Sequence, residues 1–139
     1  MILRDMPSWV DRCDGFREYL EGTVLVPVPL HRRRLGKRGF NQSEWIAHAF
    51  RKAVGTSVDV VHALKRRKNT PTQTELDRNQ RKANVKNAFA LVRKNHLRKE
   101  DRIMLVDDVF TTGATLNSCA EVLKEHGFHQ ISIAVLGHG

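Results

Sequence analysis

The sequence predicts an α/β protein with a mostly parallel central sheet that is flanked by helices. Short apolar runs alternate along the chain with segments whose apolar residues recur at helical spacing, which is typical of strands joined by helices. Ile103–Val106 is apolar without alternation, as expected for a strand that is buried on both faces of a parallel sheet. The 139 residues are most simply one domain.

The predicted elements follow one another in chain order. They are a helix over 8–21, a strand over 24–29, a helix from Asn41 to Gly55, a strand over 58–64, a polar insertion over 65–87, strands over 88–92 and 103–106, a helix over 115–126 and a strand over 131–136. The prolines of the first strand lack backbone donors, so this strand should lie at a sheet edge or end quickly.

Two helices have recognisable ends. Ser8 suits the N-cap of the first helix, and the spacing of Asn41 and Glu44 is that of a capping box for the second. The second helix has an apolar face that we expect in the core. Its members are Trp45, Ile46, Ala49, Phe50 and Ala53.

The net charge of +9 is concentrated in two segments. Residues 31–40 contain five Lys or Arg and no acid, and residues 65–86 contain eight Lys or Arg against two acids. Such segments suit a polyphosphate ligand or a nucleic-acid backbone. Few aromatic residues lie among them, so any binding of nucleic acid should be mostly electrostatic.

Other features favour a cytoplasmic protein. No apolar run approaches the ~20 residues of a membrane span, and the N-terminal 20 residues lack a signal-peptide core. Cys13 and Cys119 form no Cys-x-x-Cys pair, so we expect buried small side chains rather than a disulfide or zinc site. Of the scattered histidines, only His31 lies in a segment that we expect to bind a ligand.

The strand over 103–106 leads into the most informative run of the chain. Asp107 and Asp108 follow where this strand is expected to end, and Thr111–Thr115 leads into the next helix. Carboxylates accept hydrogen bonds from sugar hydroxyls, while a glycine turn at a helix start presents N–H groups and a positive dipole end to phosphate. The run therefore predicts a site for a phosphorylated sugar.

This run has two alternative interpretations. The run is also compatible with a plain strand-to-helix turn in which Thr112 or Thr115 is the N-cap. An acidic pair of the response-regulator receiver type is disfavoured, because the only upstream acceptor in a predicted strand is Asp59. In addition, no lysine follows the last strand.

This run closely resembles the signature of the type I phosphoribosyltransferases, which bind 5-phosphoribosyl-1-pyrophosphate (PRPP). Two further blocks resemble the ComF family of competence-associated phosphoribosyltransferase-like proteins, which includes GntX-like members. They are Val26-Pro27-Val28-Pro29-Leu30-His31-Arg32-Arg33-Arg34 with Arg38-Gly39-Phe40-Asn41-Gln42, and Arg66, Thr70, Gln73, Leu76 with Arg81-Lys82-Ala83-Asn84-Val85 and Ala88-Phe89. The resemblance covers about residues 24–136, and it implies the type I fold with a flexible hood over 65–87.

The resemblance implies a role for each group of matching residues. Asp107 and Asp108 would contact the ribose hydroxyls as the catalytic acidic pair, with Mg²⁺ carried by PRPP beside them rather than held in a protein cage. The phosphate loop would consist of Thr111, Thr112, Gly113, Ala114 and Thr115. The pyrophosphate loop would consist of Leu30, His31, Arg32, Arg33 and Arg34. The flexible loop would contribute Arg66, Thr70, Gln73, Arg81 and Asn84.

Two functions follow from the resemblance. The first is PRPP binding, with transfer of the 5-phosphoribosyl group to an unknown acceptor and release of pyrophosphate. Purine-using relatives have an Asp where this chain has Thr111, so no general base for an acceptor is evident. The second is binding of single-stranded DNA beside competence-machinery proteins, with or without catalysis.

The resemblance also bears on the N-terminus and on assembly. Many members of the family carry a Cys-x-x-Cys zinc ribbon ahead of the Val-Pro-Val-Pro strand. Residues 1–23 contain no such pair, so we expect a short member or a fragment. Relatives of this fold often pair, which makes a homodimer an expectation.

Overall fold

The architecture is taken from a computed structural model that describes residues 15–29, 41–55, 58–67, 88–110 and 113–138. The helices are α1 (Phe16–Leu20), α2 (Gln42–Val54) and α3 (Ala114–Glu125). The strands are β1 (Thr23–Pro27), β2 (Asp59–Val60), β3 (Leu64–Arg66), β4 (Phe89–Leu91), β5 (Arg102–Phe110) and β6 (Ile131–His138).

The central sheet is parallel and has the strand order β2-β1-β5-β6, which confirms the predicted fold class. Of the two alternatives expected for β1, the second holds: β1 pairs with β2 on one side and with β5 on the other, so it is not an edge strand, but it ends early, at Pro27. The prolines are tolerated because β1 ends at Pro27. The Val28 N–H donates to the Val106 carbonyl of β5. The backbone nitrogen of Pro27 therefore faces the other neighbour, β2, which has already ended at Val60. The donor that proline lacks is thus not needed there.

The strand that carries the acidic pair is longer than predicted. Pairing with β6 continues through Asp107, opposite Val135, and reaches Phe110, opposite His138. The expectation that β5 ends before Asp107 is therefore wrong. The pairing of β5 with β1 stops at Val106. Asp107 is therefore the first β5 residue that is paired with β6 but no longer with β1.

Side chains of β5 alternate between two hydrophobic clusters. Ile103 and Leu105 belong to the cluster that includes Leu116 and Cys119 of α3, whereas Met104 and Val106 belong to the cluster that includes Phe50 of α2. All four β5 residues are at most 2% exposed. The prediction that this strand is buried on both faces is therefore confirmed.

The segment predicted as one strand over 58–64 divides between two sheets. Asp59 and Val60 pair with β1, and a tight turn follows in which the Ala63 N–H donates to the Val61 carbonyl. Leu64 then starts the antiparallel pair β3-β4. The strand predicted over 88–92 is confirmed as β4, and its Phe89 is one of the largest buried side chains of the described residues.

Helix α2 begins and ends where predicted. Asn41 is the N-cap and accepts a hydrogen bond from the Ser43 N–H, and Gly55 is the C-cap. The predicted core face is partly wrong. Trp45 is 52% exposed, whereas Ala47, which was not predicted, is fully buried.

Helix α3 begins at Gly113 as its N-cap, so Thr115 does not cap it and Thr112 is outside the described residues. Its C-terminus is closed by a Schellman pair. The Phe128 N–H donates to Leu123 and the Gly127 N–H to Lys124. Gly127 has φ of 90°, a conformation that glycine adopts without strain.

Several predictions lie outside the described residues. Of the helix predicted over 8–21 only α1 is described, and Ser8 is not. Most of the insertion predicted as a hood, 68–87, is likewise not described. Within the described ranges, no helix combines the length and the apolar character needed to cross a bilayer.

Candidate functional site

The candidate site is built around Asp107, at the carboxyl end of β5. Two donors converge on its Oδ1 atom. The Ser43 hydroxyl donates at 3.0 Å and the Asp108 backbone N–H donates at 2.9 Å. In open α/β sheets this is the edge at which ligands bind.

The first turn of α2 positions Ser43. The Asn41 side chain accepts the Ser43 N–H at 3.0 Å and its Nδ2 donates to the Val28 carbonyl at 3.1 Å. Asn41 thereby joins the start of α2 to the chain immediately after β1. Ser43 is only 4% exposed, so its hydroxyl is held in place for Asp107.

The local environment raises the pKa of Asp107 from 3.8 to about 6. Burial is the largest cause, because it disfavours the charged carboxylate. The hydrogen bond from the Asp108 N–H lowers the pKa, as does the Ser43 hydroxyl, while the neighbouring Asp108 side chain raises it. At pH 7 the carboxylate is therefore mostly ionised and can only accept hydrogen bonds.

The start of α3 provides the second part of the site. Gly113 has φ of 78° and ψ of 0°, which suits a residue without Cβ. A glycine at the N-cap offers no side chain to the first-turn amides, and that turn contains no acidic residue. The positive end of the helix dipole at this N-terminus favours an anion.

Cys119 of α3 is a buried thiol whose pKa is affected by two charged side chains of the predicted site. Its thiol is buried, and burial together with the negative charge of Asp107 raises the Cys119 pKa to about 12, while Arg66 has the opposite effect. Both charged side chains therefore lie within electrostatic range of Cys119. The Arg66 guanidinium lies 4.9 Å from the centre of the Phe89 ring, so a cation–π contact holds it over β4.

Some of the predicted site residues are among the described residues and others are not. Asp107, Asp108, Gly113, Ala114, Thr115 and Arg66 belong to the described residues. Other predicted site residues lie outside them, namely Leu30, His31, Arg32, Arg33, Arg34, Thr70, Gln73, Arg81, Asn84, Thr111 and Thr112.

Sequence reasoning missed Ser43. It identified Asn41 as a cap but assigned no role to the hydroxyl two residues later. No local signal reveals this contact, since Ser43 and Asp107 are 64 residues apart in the chain. The preference of Asn, Ser and Asp for helix starts explains Asn41 but not the direction in which Ser43 faces.

Comparison with known proteins identifies the family. Residues 38–138 match the phosphoribosyl transferase domain family. The chain belongs to this family. The match includes both described parts of the candidate site, around Asp107 and around Gly113.

Several members with curated names are similar to this phosphoribosyl transferase domain. Competence protein F of Haemophilus influenzae is 35% identical over 110 residues, which are 79% of this chain and 48% of that protein. DNA utilization protein YhgH of Escherichia coli K12 is 36% identical over 112 residues, 78% of this chain and 46% of that protein. Competence protein ComFC of Bacillus subtilis is 33% identical over 104 residues, 75% of this chain and 39% of that protein.

These similarities confirm the predicted resemblance to the ComF family. The phosphoribosyl transferase domain described here spans about half the length, or less, of these curated relatives.

Solved structures confirm the fold. A hypoxanthine phosphoribosyltransferase from Staphylococcus aureus has a TM-score of 0.56 at 14% identity, covering 98% of this chain and 64% of that one. A purine phosphoribosyltransferase from Pyrococcus horikoshii has a TM-score of 0.53 at 20% identity, covering 99% and 72%. At these identities the likeness concerns the type I phosphoribosyltransferase fold.

Proposed function

We propose that this protein binds PRPP together with Mg²⁺ and transfers its 5-phosphoribosyl group to an acceptor, releasing pyrophosphate. One observation carries the proposal. A partly buried carboxylate, Asp107, lies at the carboxyl edge of the parallel sheet, fixed by a hydroxyl and a backbone amide. The strand that carries it leads into a helix that starts at Gly113, where an anion is favoured.

Two parts of the ligand, the ribose and the 5′-phosphate, have matching groups among the described residues. The ribose hydroxyls of PRPP donate to the carboxylate oxygens of Asp107 and Asp108. The 5′-phosphate binds at the start of α3, at Gly113, Ala114 and Thr115. The family membership of residues 38–138 supports the same assignment.

Magnesium fits this donor set. Mg²⁺ prefers oxygen ligands and keeps several of its waters, and the Asp107 and Asp108 carboxylates can accept hydrogen bonds from those waters. When bound on PRPP, the ion neutralises charge on the departing pyrophosphate. Ser43, through its hydroxyl, keeps Asp107 oriented and favours the ionised form of the carboxylate.

The test is a calorimetric titration of PRPP with Mg²⁺ into the protein. We expect saturable binding by the parent and its loss in Asp107→Asn and in Asp108→Asn. Asp59→Asn is the matched control, because Asp59 is an exposed carboxylate on β2. Absence of binding by the parent would overturn the proposal, as would equal losses in the control and in the two site variants.

A second proposed function is binding of single-stranded DNA. The names of the relatives, Competence protein F and DNA utilization protein YhgH, together with the concentrated basic charge of residues 31–40 and 65–86, favour it. Lys65 and Arg67, at the start of the second basic segment, are exposed. Contacts of such side chains with phosphates give an affinity that falls steeply with salt.

Fluorescence anisotropy with a labelled oligonucleotide tests this function. We expect weaker binding at higher salt and a loss of affinity in Lys65→Gln/Arg67→Gln. The double variant Arg51→Gln/Lys52→Gln removes the same charges from the exposed surface of α2 and should bind as the parent does. Affinity that does not change with salt would contradict the electrostatic mechanism. Competition by PRPP with Mg²⁺ would place both ligands at one site.

A further inference from the structure

Three side chains that can bind metal ions meet on the surface beside α2. The Glu44 Oε1 atom lies 3.8 Å from His48 Nε2 and 3.7 Å from His62 Nε2. The potential ligand atoms of all three residues lie within 4.8 Å of one another. Neither His48 nor His62 is singled out by the sequence, because they lie 14 positions apart and neither belongs to a motif.

The fold holds these three residues on two fixed elements. Glu44 and His48 are four residues apart on α2, so they lie on one face of the helix. That helix is anchored on its other side by buried residues, among them Ile46 and Phe50.

His62 lies in the short connection between β2 and β3. Its neighbours are both held in place, because the Val61 N–H donates to Leu25 and the Ala63 N–H donates to Val61. Ala63 is fully buried, whereas the His62 side chain is 55% exposed. The imidazole therefore projects outward from an anchored backbone toward α2.

Two of the three separations are close to those of a three-ligand metal site. With metal–ligand bonds of about 2.0–2.2 Å, two ligand atoms at a tetrahedral angle are roughly 3.3–3.6 Å apart. The two distances from Glu44 exceed this by about half an ångström or less. The ligand atoms of the two histidines lie within 4.8 Å of each other, and rotation of these half-exposed side chains would bring them closer. The two imidazole rings are tilted by 45° with centroids 6.4 Å apart, so they do not stack.

We propose that Glu44, His48 and His62 bind one divalent transition-metal ion of the zinc class, through one carboxylate oxygen and two imidazole nitrogens. Two histidines and one carboxylate are a ligand set that Zn²⁺ and other late first-row ions accept. Solvent completes the coordination, since all three side chains are between 41% and 55% exposed.

The ion would join the first two turns of α2 to the β2–β3 connection. Glu44 directly follows Ser43, so the metal site and the hydroxyl that binds Asp107 share one helical turn. The proposal does not depend on PRPP binding, because none of its three ligands belongs to the proposed sugar-phosphate site.

Cobalt and zinc titrations of the purified chain test the proposal. We expect one Zn²⁺ per chain by equilibrium dialysis, and Co²⁺ should show visible d–d bands without a thiolate charge-transfer band. His48→Ala and His62→Ala should each weaken binding about 100-fold or more, since even indirect partners of a metal ligand are worth 10–100-fold. Glu44→Gln should also weaken it.

Matched controls separate this site from general histidine binding. His96→Ala and His129→Ala each remove an exposed imidazole elsewhere on the chain and should leave the affinity unchanged. In EDTA, the free energy of unfolding by urea should be the same for all the variants. Added Zn²⁺ should raise it only for the variants that keep the site. The proposal is overturned by several ions per chain, by no saturable binding, or by equal losses in the controls.

Discussion

Replacing Asp107 with Asn should make the protein more stable at neutral pH while abolishing PRPP binding. Asn has nearly the shape of a protonated Asp, and its carbonyl oxygen can accept from the Ser43 hydroxyl and the Asp108 N–H. The substitution therefore removes the charge and keeps both donors paired. What it eliminates is the cost of holding an ionised carboxylate in a partly buried position.

The magnitude follows from the pKa of Asp107. A change from 3.8 to about 6 corresponds to about 3 kcal/mol, since each tenfold change in proton affinity is about 1.4 kcal/mol. The folded protein binds this proton more tightly than the unfolded chain does. The contribution of Asp107 to stability is therefore fully present below about pH 4, is lost as the pH rises through about 6, and stays absent above that. Because the side chain is partly exposed, we expect a gain of about 1 to 3 kcal/mol.

The assay is urea unfolding of the parent and of Asp107→Asn between pH 4 and pH 8. Taking the difference between the two proteins at each pH cancels the other titrating groups. We expect almost no difference near pH 4 and the full gain by about pH 7, with equal m-values. The exposed control Asp59→Asn should change the free energy of unfolding by no more than about 0.5 kcal/mol.

Two results would refute the reasoning. One is an Asp107→Asn variant that is less stable than the parent at pH 7 to 8. The other is a gain of the same size at every pH, because such a gain could not come from the titration of Asp107.

Three further outcomes are expected. Ser43→Ala should raise the pKa of Asp107 above about 6, because the lost hydrogen bond favours the carboxylate; carboxyl NMR titration measures it, and an unchanged or lower value contradicts the role of Ser43. Gly127→Ala should cost about 1 to 2 kcal/mol in urea unfolding, since φ is 90° and the new Cβ would lie 3.2 Å from Lys99 Nζ; a neutral effect would contradict this. Burial raises the pKa of Cys119 to about 12, so in a Cys13→Ala background this thiol should resist iodoacetamide at pH 8 until the protein unfolds. Labelling of the folded protein at the rate of a free thiol would argue against a buried thiol.

Local patterns were sufficient to predict most of the elements. The unbroken apolar run of β5 predicted a strand buried on both faces because side chains alternate along a strand whatever the surrounding fold. Asn41 and Gly55 predicted the ends of α2 because their preferences arise from backbone geometry. The helical pattern after the acidic pair predicted a helix from Thr115, one residue after α3 begins, but the N-cap is Gly113 and not Thr115.

Failures of prediction arose where tertiary packing decides. Helical spacing put Trp45 on the apolar face of α2, but Ala47 is buried and Trp45 is exposed. The small side chain fits closer to the sheet than the indole does. β5 continues past Val106 because β6 pairs with it through Phe110, and the apolar run contains no information about its partner's length. The contact between Ser43 and Asp107, and the meeting of His62 with Glu44, join distant parts of the chain and leave no local trace.

The environment of Asp107 argues for function on physical grounds. A leucine or a valine at this position would continue the apolar run of β5 without burying an ionisable group, whereas the carboxylate lowers stability at neutral pH by the amount derived above. The fold then adds two donors to this carboxylate, one of which depends on a capped helix whose N-cap also bonds to the end of β1. Groups held at a cost to stability and oriented by their neighbours are typical of binding and catalytic sites. If Asp107→Asn is more stable and no longer binds PRPP, then the loss of stability at neutral pH and the binding of PRPP both arise from the Asp107 carboxylate.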